Sequence, residues 1–211
     1  MTRPARVEVV DWGWRYPFFV AFAINVVALF ARLRIVVTPE YTEAFETRQL
    51  QPSSFRAAFR EDGRTLLVGA FVPLASFALF HMVTVFPLSW VYLYTNESTS
   101  SFLVIEAIAA AWGFLAIVAS GIIADRIGNR RLLYRGAIMI AIFAVLAPLL
   151  LNGSKFGEAI YMTVGAVVLG LSFGQSSGAV ASLFDASRRY TGSAVVSDLA
   201  WLFGAGFAPL A

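Results

Sequence analysis

Long runs of apolar residues separated by short polar stretches set the pattern of this chain. Six runs reach or approach the roughly 20 residues that a helix needs to cross a bilayer. They cover residues 16–31, 65–94, 102–124, 132–151, 159–184 and 192–211. The second run is too long for one upright span, so we expect it to tilt or to kink at Pro73 or Pro87. The pattern predicts an all-α, polytopic membrane helical bundle.

Composition supports a membrane protein over the other classes. The chain is 59% hydrophobic and 14% charged, with a mean hydropathy of +0.73, which a soluble domain does not reach. A net charge of +3 does not indicate a nucleic-acid partner, because the basic residues lie in loops between the apolar runs. With one histidine and no cysteine, we expect no metal site, no cofactor and no catalytic residues.

The arginines divide the loops into two sides. Residues 32–64, 125–135 and 188–189 carry almost all of the arginines between runs, and the alternate loops carry a single lysine. By the positive-inside rule, the three arginine-rich loops are cytoplasmic and the N-terminus lies outside. The final apolar run has no polar tail, which suggests that the chain is cut.

A charged loop joins the third and fourth runs. Two membrane-length helices joined by so few residues are antiparallel neighbours, so charge is concentrated at one membrane face. The charged residues there can hold helix ends together at that face as a gate, or the arginines can merely fix the topology of the chain. The loop residues that we single out are Gly121, Asp125, Arg126, Gly128, Arg130 and Arg131.

Four polar residues inside the runs are candidates for binding substrate or protons, because a buried charge in a bilayer is costly. His81 can relay a proton or simply bond a neighbouring helix. Glu106 lies about one turn inside its helix and can snorkel to water instead. Asp198 can carry a coupling proton or pair with Arg189, and Gln175 can bind substrate or another helix.

The loop sequence resembles that of the major facilitator superfamily, whose interhelical loops carry a Gly-x-x-x-Asp-Arg-x-Gly-Arg-Arg pattern. One position departs from the usual family pattern, since Asn129 stands in place of an arginine. The resemblance extends to Arg189-Tyr-Thr-Gly192 and to the residues around Trp14. With the loop, these motifs make the chain similar to the metabolite:proton symporter branch, which transports organic acids and betaine-type osmolytes. Arg189 and Gly192 then belong to a cytoplasmic turn.

This resemblance implies an incomplete bundle covering about helices six to eleven. It divides the chain into an outer segment with one span (1–34), a cytoplasmic linker (35–64) and five spans of the C-terminal bundle (65–211). Partners would be a small-molecule substrate, protons, the lipid bilayer and the missing helices of the same protein, in the cytoplasmic (plasma) membrane of a bacterium. The alternative is a non-transporting membrane assembly protein or a truncated pseudo-transporter.

Overall fold

The computed structural model describes residues 12–36, 39–47, 54–95, 98–151, 154–185 and 187–207, and these ranges contain helices and no strand. A short 3-10 turn, Gly13–Arg15, precedes the first α-helix. The α-helices are α1 (Tyr16–Val36), α2 (Pro39–Glu46), α3 (Phe55–Thr84), α4 (Phe86–Tyr94), α5 (Thr99–Ile127), α6 (Asn129–Leu150), α7 (Lys155–Ala181) and α8 (Arg189–Phe207). The all-α class predicted from the sequence is confirmed.

Among the described residues, five helical stretches are long and apolar enough to cross a membrane. They are Gly13–Arg34, Phe55–Tyr94, Thr99–Ile127, Asn129–Leu150 and Lys155–Ala181. Over its described residues, α8 is not among them, and residues 208–211 of the sixth predicted run lie outside the described part of the chain. A sixth span therefore stays a prediction.

The chain divides into two compact units, Met1–Gln51 and Pro52–Ala211. The division falls inside the predicted linker, of which residues 37–38 and 48–53 lie outside the described ranges. The last part of that linker is helical, because α3 begins at Phe55 and runs directly into the second apolar run. Asp62 interrupts it with φ −116° and ψ 16°, so a short helical piece precedes the membrane-length part.

In the N-terminal unit, aromatic residues cluster where α1 begins. The rings of Trp12 and Tyr16 lie 5.5 Å apart, and those of Trp14 and Phe18 lie 5.9 Å apart. Most side chains of α1 are exposed in this unit. An apolar helix headed by tryptophan and tyrosine is the arrangement expected where a span enters the headgroup region.

The second apolar run breaks close to Pro87. Helix α3 ends at Thr84, and α4 starts with Pro87 in its first turn, where the missing N–H of proline costs no hydrogen bond. Pro73 stays buried inside α3. The Tyr161 hydroxyl of α7 donates a 2.6 Å hydrogen bond to the Met82 carbonyl, in the last turn of α3, where intrahelical donors run out.

Helix α7 lies at the centre of the larger unit and packs against α3, α5, α6 and α8. Small residues allow the close approach of α5. A Cβ atom at Gly170 would overlap the Gly113 carbonyl oxygen, and one at Gly174 would overlap the Ser120 hydroxyl. Close helix contact is the simplest meaning of such a stripe in a membrane bundle.

The described residues of this unit contain two apolar clusters. The larger one lies around Phe102, Phe143 and Tyr161. The smaller one consists of Leu66, Val180, Phe184, Val195 and Val196, at the end of the bundle where α3 and α8 begin and α7 ends. We call this end the charged end, because the ion pairs described next lie there.

Candidate functional site

The predicted loop is a turn of a single residue between α5 and α6. Gly128 has φ 88° and ψ 142°, a backbone conformation that favours glycine. Its N–H bonds the Ala124 carbonyl at 2.7 Å, and its carbonyl accepts from the Leu132 N–H at 3.2 Å. The turn lies at the charged end, since a Cβ at Gly178 of α7 would be 3.5 Å from the Asn129 amide nitrogen.

Four charged side chains surround this turn, and all of them are exposed. Within the described residues, none of them forms an ion pair or a side-chain hydrogen bond. They are Asp125, Arg126, Arg130 and Arg131. The turn therefore holds a carboxylate and three guanidinium groups open to contacts from outside the described part of the chain. Gly121, the first residue of the loop pattern, is half-buried in α5 with open space beside it.

A second charged group at this end was missed by the sequence reasoning. Arg188 Nη1 lies 2.5 Å from Glu61 Oε2, its Nε lies 3.2 Å from Asp62 Oδ2, and its Nη2 lies 2.8 Å from Asp185 Oδ2. One guanidinium thus joins the start of α3 to the segment between α7 and α8. We call these four residues the Arg188 cluster.

The three carboxylates favour the charged form of Arg188. The hydrogen bond to Asp185 raises the pKa of the guanidinium above its usual value, and the charge of Asp62 adds to this effect. Because the pKa of Arg188 is raised in the folded state, these contacts contribute fully to folding stability at neutral pH. This contribution is lost only in strong alkali. Adjacent acids at a helix start and an arginine three residues after Asp185 were the sequence signal for this cluster.

The predicted turn residues Arg189 and Gly192 have different surroundings. Arg189 is exposed and forms no ion pair with any described residue. The neighbouring Arg188, and not Arg189, makes the ion pairs at this turn. Gly192 is buried, and a Cβ there would lie 2.6 Å from the Phe184 ring. Glycine lets this ring pack flat against the first turn of α8.

A cavity of about 270 Å³ opens between α3, α5 and α7. Glu106, half-buried in α5, is the one ionisable side chain among the described residues that line it. Phe80, Phe114 and Phe173 contribute aromatic rings, one from each helix. Thr84 is a second polar residue on the wall, and a concave, mostly apolar space with a few polar groups is typical of a small-molecule site.

His81 lies next to this cavity but does not line it. Its ring meets those of Phe80 and Trp201 edge-on, at 5.5 Å and 5.7 Å between centroids. Its Nε2 atom is buried without a hydrogen-bond partner among the described residues. Phe77 stacks on Trp201 at 4.4 Å, so an aromatic cluster joins α3 and α8 beside His81.

The structure separates the two remaining candidates from the cavity. The Gln175 amide donates to the Ser120 hydroxyl at 3.1 Å, a bond between α7 and α5. Asp198 is exposed on α8 and pairs with neither Arg189 nor any other described residue. Over the described ranges, no group of three or more histidine, aspartate or glutamate side chains could hold a metal ion.

Comparison with known proteins decides the family. The family model described as Major Facilitator Superfamily matches residues 9–209 of the 211 in the chain. The chain belongs to the major facilitator superfamily. The resemblance inferred from the turn at Gly128 is confirmed, and the chain is an integral membrane protein of this superfamily.

Curated relatives are transport proteins. The chain is 25% identical to the inner membrane metabolite transport protein YhjE of Escherichia coli, over 96% of this chain and 47% of the relative. It is 26% identical to the proline/betaine transporter of Escherichia coli, over 95% of this chain and 42% of the relative. The ectoine/proline transporter ProP of Corynebacterium glutamicum is also 26% identical, over 95% and 42%. No solved structure gives a significant match to the chain.

This major facilitator chain spans about half the length of the curated relatives that it matches. The prediction that it is not an enzyme is confirmed by the family and by these transport-protein relatives. The predicted roles of the loop residues and of the other site residues, and the domain boundaries at 34 and 64, stay predictions.

Proposed function

We propose that this chain is part of a secondary active transporter that carries a small polar metabolite together with protons across a bacterial plasma membrane. The substrate class is an organic acid or a betaine-type osmolyte, and transport proceeds by alternating access. Support comes from the family and from relatives whose names specify metabolites, proline, betaine and ectoine. The partners are the substrate, protons, the bilayer and the further helices that complete the fold.

The exposed charge at the Gly128 turn is the observation that carries this proposal. Asp125 and its neighbouring arginines are held at one end of the bundle by a turn whose positive-φ backbone conformation at Gly128 favours glycine. A carboxylate there accepts hydrogen bonds from an arginine and from a helix N-terminus of a facing bundle. Such contacts stabilise the outward-facing state and break when the cytoplasmic side opens.

The cavity supplies a place for the cargo in the same bundle. Glu106 lines this cavity and His81 contacts Phe80 on its wall, and both ionisable residues are half-buried. We assign proton or substrate contact to these two residues. Gln175 takes a structural role in this scheme, because its amide bonds to Ser120, and Asp198 is exposed and does not line the cavity.

The test is uptake by cells that express the complete reading frame encoding this chain. We expect accumulation of labelled glycine betaine, proline or succinate that rises as the external pH falls and collapses with a protonophore. Uptake that ignores the protonophore would reject proton coupling while retaining transport. The absence of uptake for all three compounds, with the protein present in the membrane, would favour the assembly or pseudo-transporter alternative.

A further inference from the structure

The short helical piece at the start of α3 carries two exposed phenylalanines. We call residues 55–61 the entry helix. Phe55 and Phe59 lie one turn apart and are 62% and 44% exposed. Their ring centroids lie 4.9 Å apart, so the two side chains form one apolar surface. Removing such a surface from water is favourable, and the rings point to a partner outside the bundle.

Arginine side chains lie beside these rings. Arg56 and Arg60 are exposed, and neither forms an ion pair or a side-chain hydrogen bond with a described residue. Each one follows a phenylalanine, so the two arginines form a stripe about 100° around the helix from the ring pair. They line an open cleft with Ser54, whose hydroxyl already accepts from the Ala57 N–H. The arginines are therefore the groups in this cleft that can attract an anion.

A third side of the entry helix is held by the bundle. Ala58 is 1% exposed. Arg188 pairs with Glu61 at the end of the entry helix and with Asp62 directly after it. These ion pairs compensate the acidic groups and leave the two arginines without a counter-charge among the described residues. The free charge of the entry helix is therefore positive.

The position of the entry helix along the chain is close to the membrane surface. The apolar run of α3 begins at residue 65, six residues after Phe59, which is about 9 Å of helix at 1.5 Å per residue. The headgroup layer adds roughly 5–7 Å to each side of the hydrocarbon core. The departure from helical geometry at Asp62 lets the entry helix leave the line of the span. Its rings can then reach the hydrocarbon boundary while the arginines stay among the headgroups.

We propose that the entry helix lies in the membrane interface and binds anionic phospholipids. Phe55 and Phe59 insert at the edge of the hydrocarbon, and Arg56 and Arg60 contact the lipid phosphate groups. Charge complementarity selects this partner, because an anionic leaflet attracts basic side chains that lie near its surface. An aromatic surface beside a basic stripe is the pattern of a helix that lies in the interface plane. The inference depends on the membrane location of the chain and is independent of the transported substrate.

The lipid that the complete protein retains tests this proposal. The protein is purified in mild detergent and incubated with equal amounts of phosphatidylglycerol and phosphatidylcholine, and bound lipids are identified by native mass spectrometry. We expect the wild type to prefer phosphatidylglycerol. The double variant Arg56→Gln, Arg60→Gln should lose phosphatidylglycerol that the wild type retains, and its phosphatidylcholine should not change. A wild type without preference, or a double variant with wild-type retention, would overturn the proposal.

Arg135→Gln with Arg189→Gln is the matched control for the charge. Both arginines are exposed, form no ion pair with a described residue and lie outside the entry helix. Because this double variant removes the same net charge, we expect it to retain phosphatidylglycerol as the wild type does. Equal losses in the two double variants would overturn the assignment to the entry helix and indicate a general attraction to positive charge.

A change to the ring pair tests the proposal by a second route, including the case in which the arginine variant fails to fold. Phe55→Ser with Phe59→Ser removes the apolar surface and keeps both arginines. We expect retention of both lipids to fall, because insertion does not depend on the headgroup charge. Retention of both lipids at the wild-type level would overturn the insertion and assign the ring pair to contact with another segment of the protein.

Discussion

Arg188 Nε lies 3.2 Å from the Asp62 carboxylate, at the residue where α3 departs from helical geometry. The ion pair joins the first part of α3 to the segment before α8, two parts of the chain that are far apart in sequence. Glu61 and Asp185 add two more carboxylates to the same guanidinium. Contact of one side chain with three carboxylates depends on the several N–H donors of the planar guanidinium group.

Replacing Arg188 should loosen the charged end. We expect Arg188→Ala to lower the thermal midpoint and to speed proteolysis near Asp62, because three carboxylates lose their shared cation. The thermal midpoint of Arg188→Lys should lie between those of Arg188→Ala and the wild type, since an ammonium group cannot contact all three carboxylates in the same way. Circular dichroism melts in mild detergent provide the measurement.

Arg189→Ala is the matched control for this experiment, because the neighbouring arginine is exposed and has no ion pair within the described residues. Its melting temperature should equal that of the wild type. Equal losses in the two alanine variants would contradict a specific role for the Arg188 cluster and indicate a general effect of positive charge.

Enlarging Gly170 should separate α5 from α7. The side chain of Gly170→Val would overlap the Gly113 carbonyl oxygen, and relief requires the two helices to move apart. Overpacking of this kind costs about 1–3 kcal/mol of unfolding free energy. Unfolding titrations with sodium dodecyl sulfate measure the loss. Gly63→Ala serves as control because open space surrounds Gly63, and a stability loss as large there would refute the packing explanation.

Removing one hydroxyl tests the end of α3. Tyr161→Phe deletes the bond to the Met82 carbonyl but keeps the ring contact with Phe143, whose centroid lies 4.9 Å away. We expect a loss of about 1 kcal/mol, since interhelical hydrogen bonds in membranes contribute on this scale. The same detergent titration applies. Tyr134→Phe is the control, because Tyr134 is largely exposed, and it should leave the free energy of unfolding unchanged. If both variants have the same free energy of unfolding, the Tyr161 hydrogen bond contributes nothing to stability.

Asp125→Asn separates gating from folding. The carboxylate is exposed and touches no described residue, so the melting temperature of the chain should not change. Uptake by the complete protein should fall roughly tenfold or more if the carboxylate stabilises one state of the transport cycle. The comparison is made at equal membrane abundance, with Glu46→Gln as the control. Unchanged uptake would leave the loop charges with the role of setting topology.

Local signals in the sequence determined much of the fold. Apolar runs located the helices of the larger unit, and Gly128 marked the turn between α5 and α6. Of the two prolines at which a kink was expected, Pro87 lies at the break after α3 and Pro73 lies inside that helix. Each of these features depends only on residues close together in the sequence. The length of an apolar run sets a span, glycine accepts the positive φ of the turn, and proline lacks the N–H that would continue a helix. The loop pattern around Gly128 also identified the superfamily.

Tertiary structure decided which side chains meet. These helices are apolar on nearly every side, so hydrophobic periodicity does not reveal how each one is rotated about its axis. Rotation alone turns Gln175 toward Ser120, leaves Asp198 exposed and brings Glu106 to a cavity shared with α3 and α7. Contacts between segments distant in sequence also make Arg188, and not Arg189, the partner of Glu61 and Asp62.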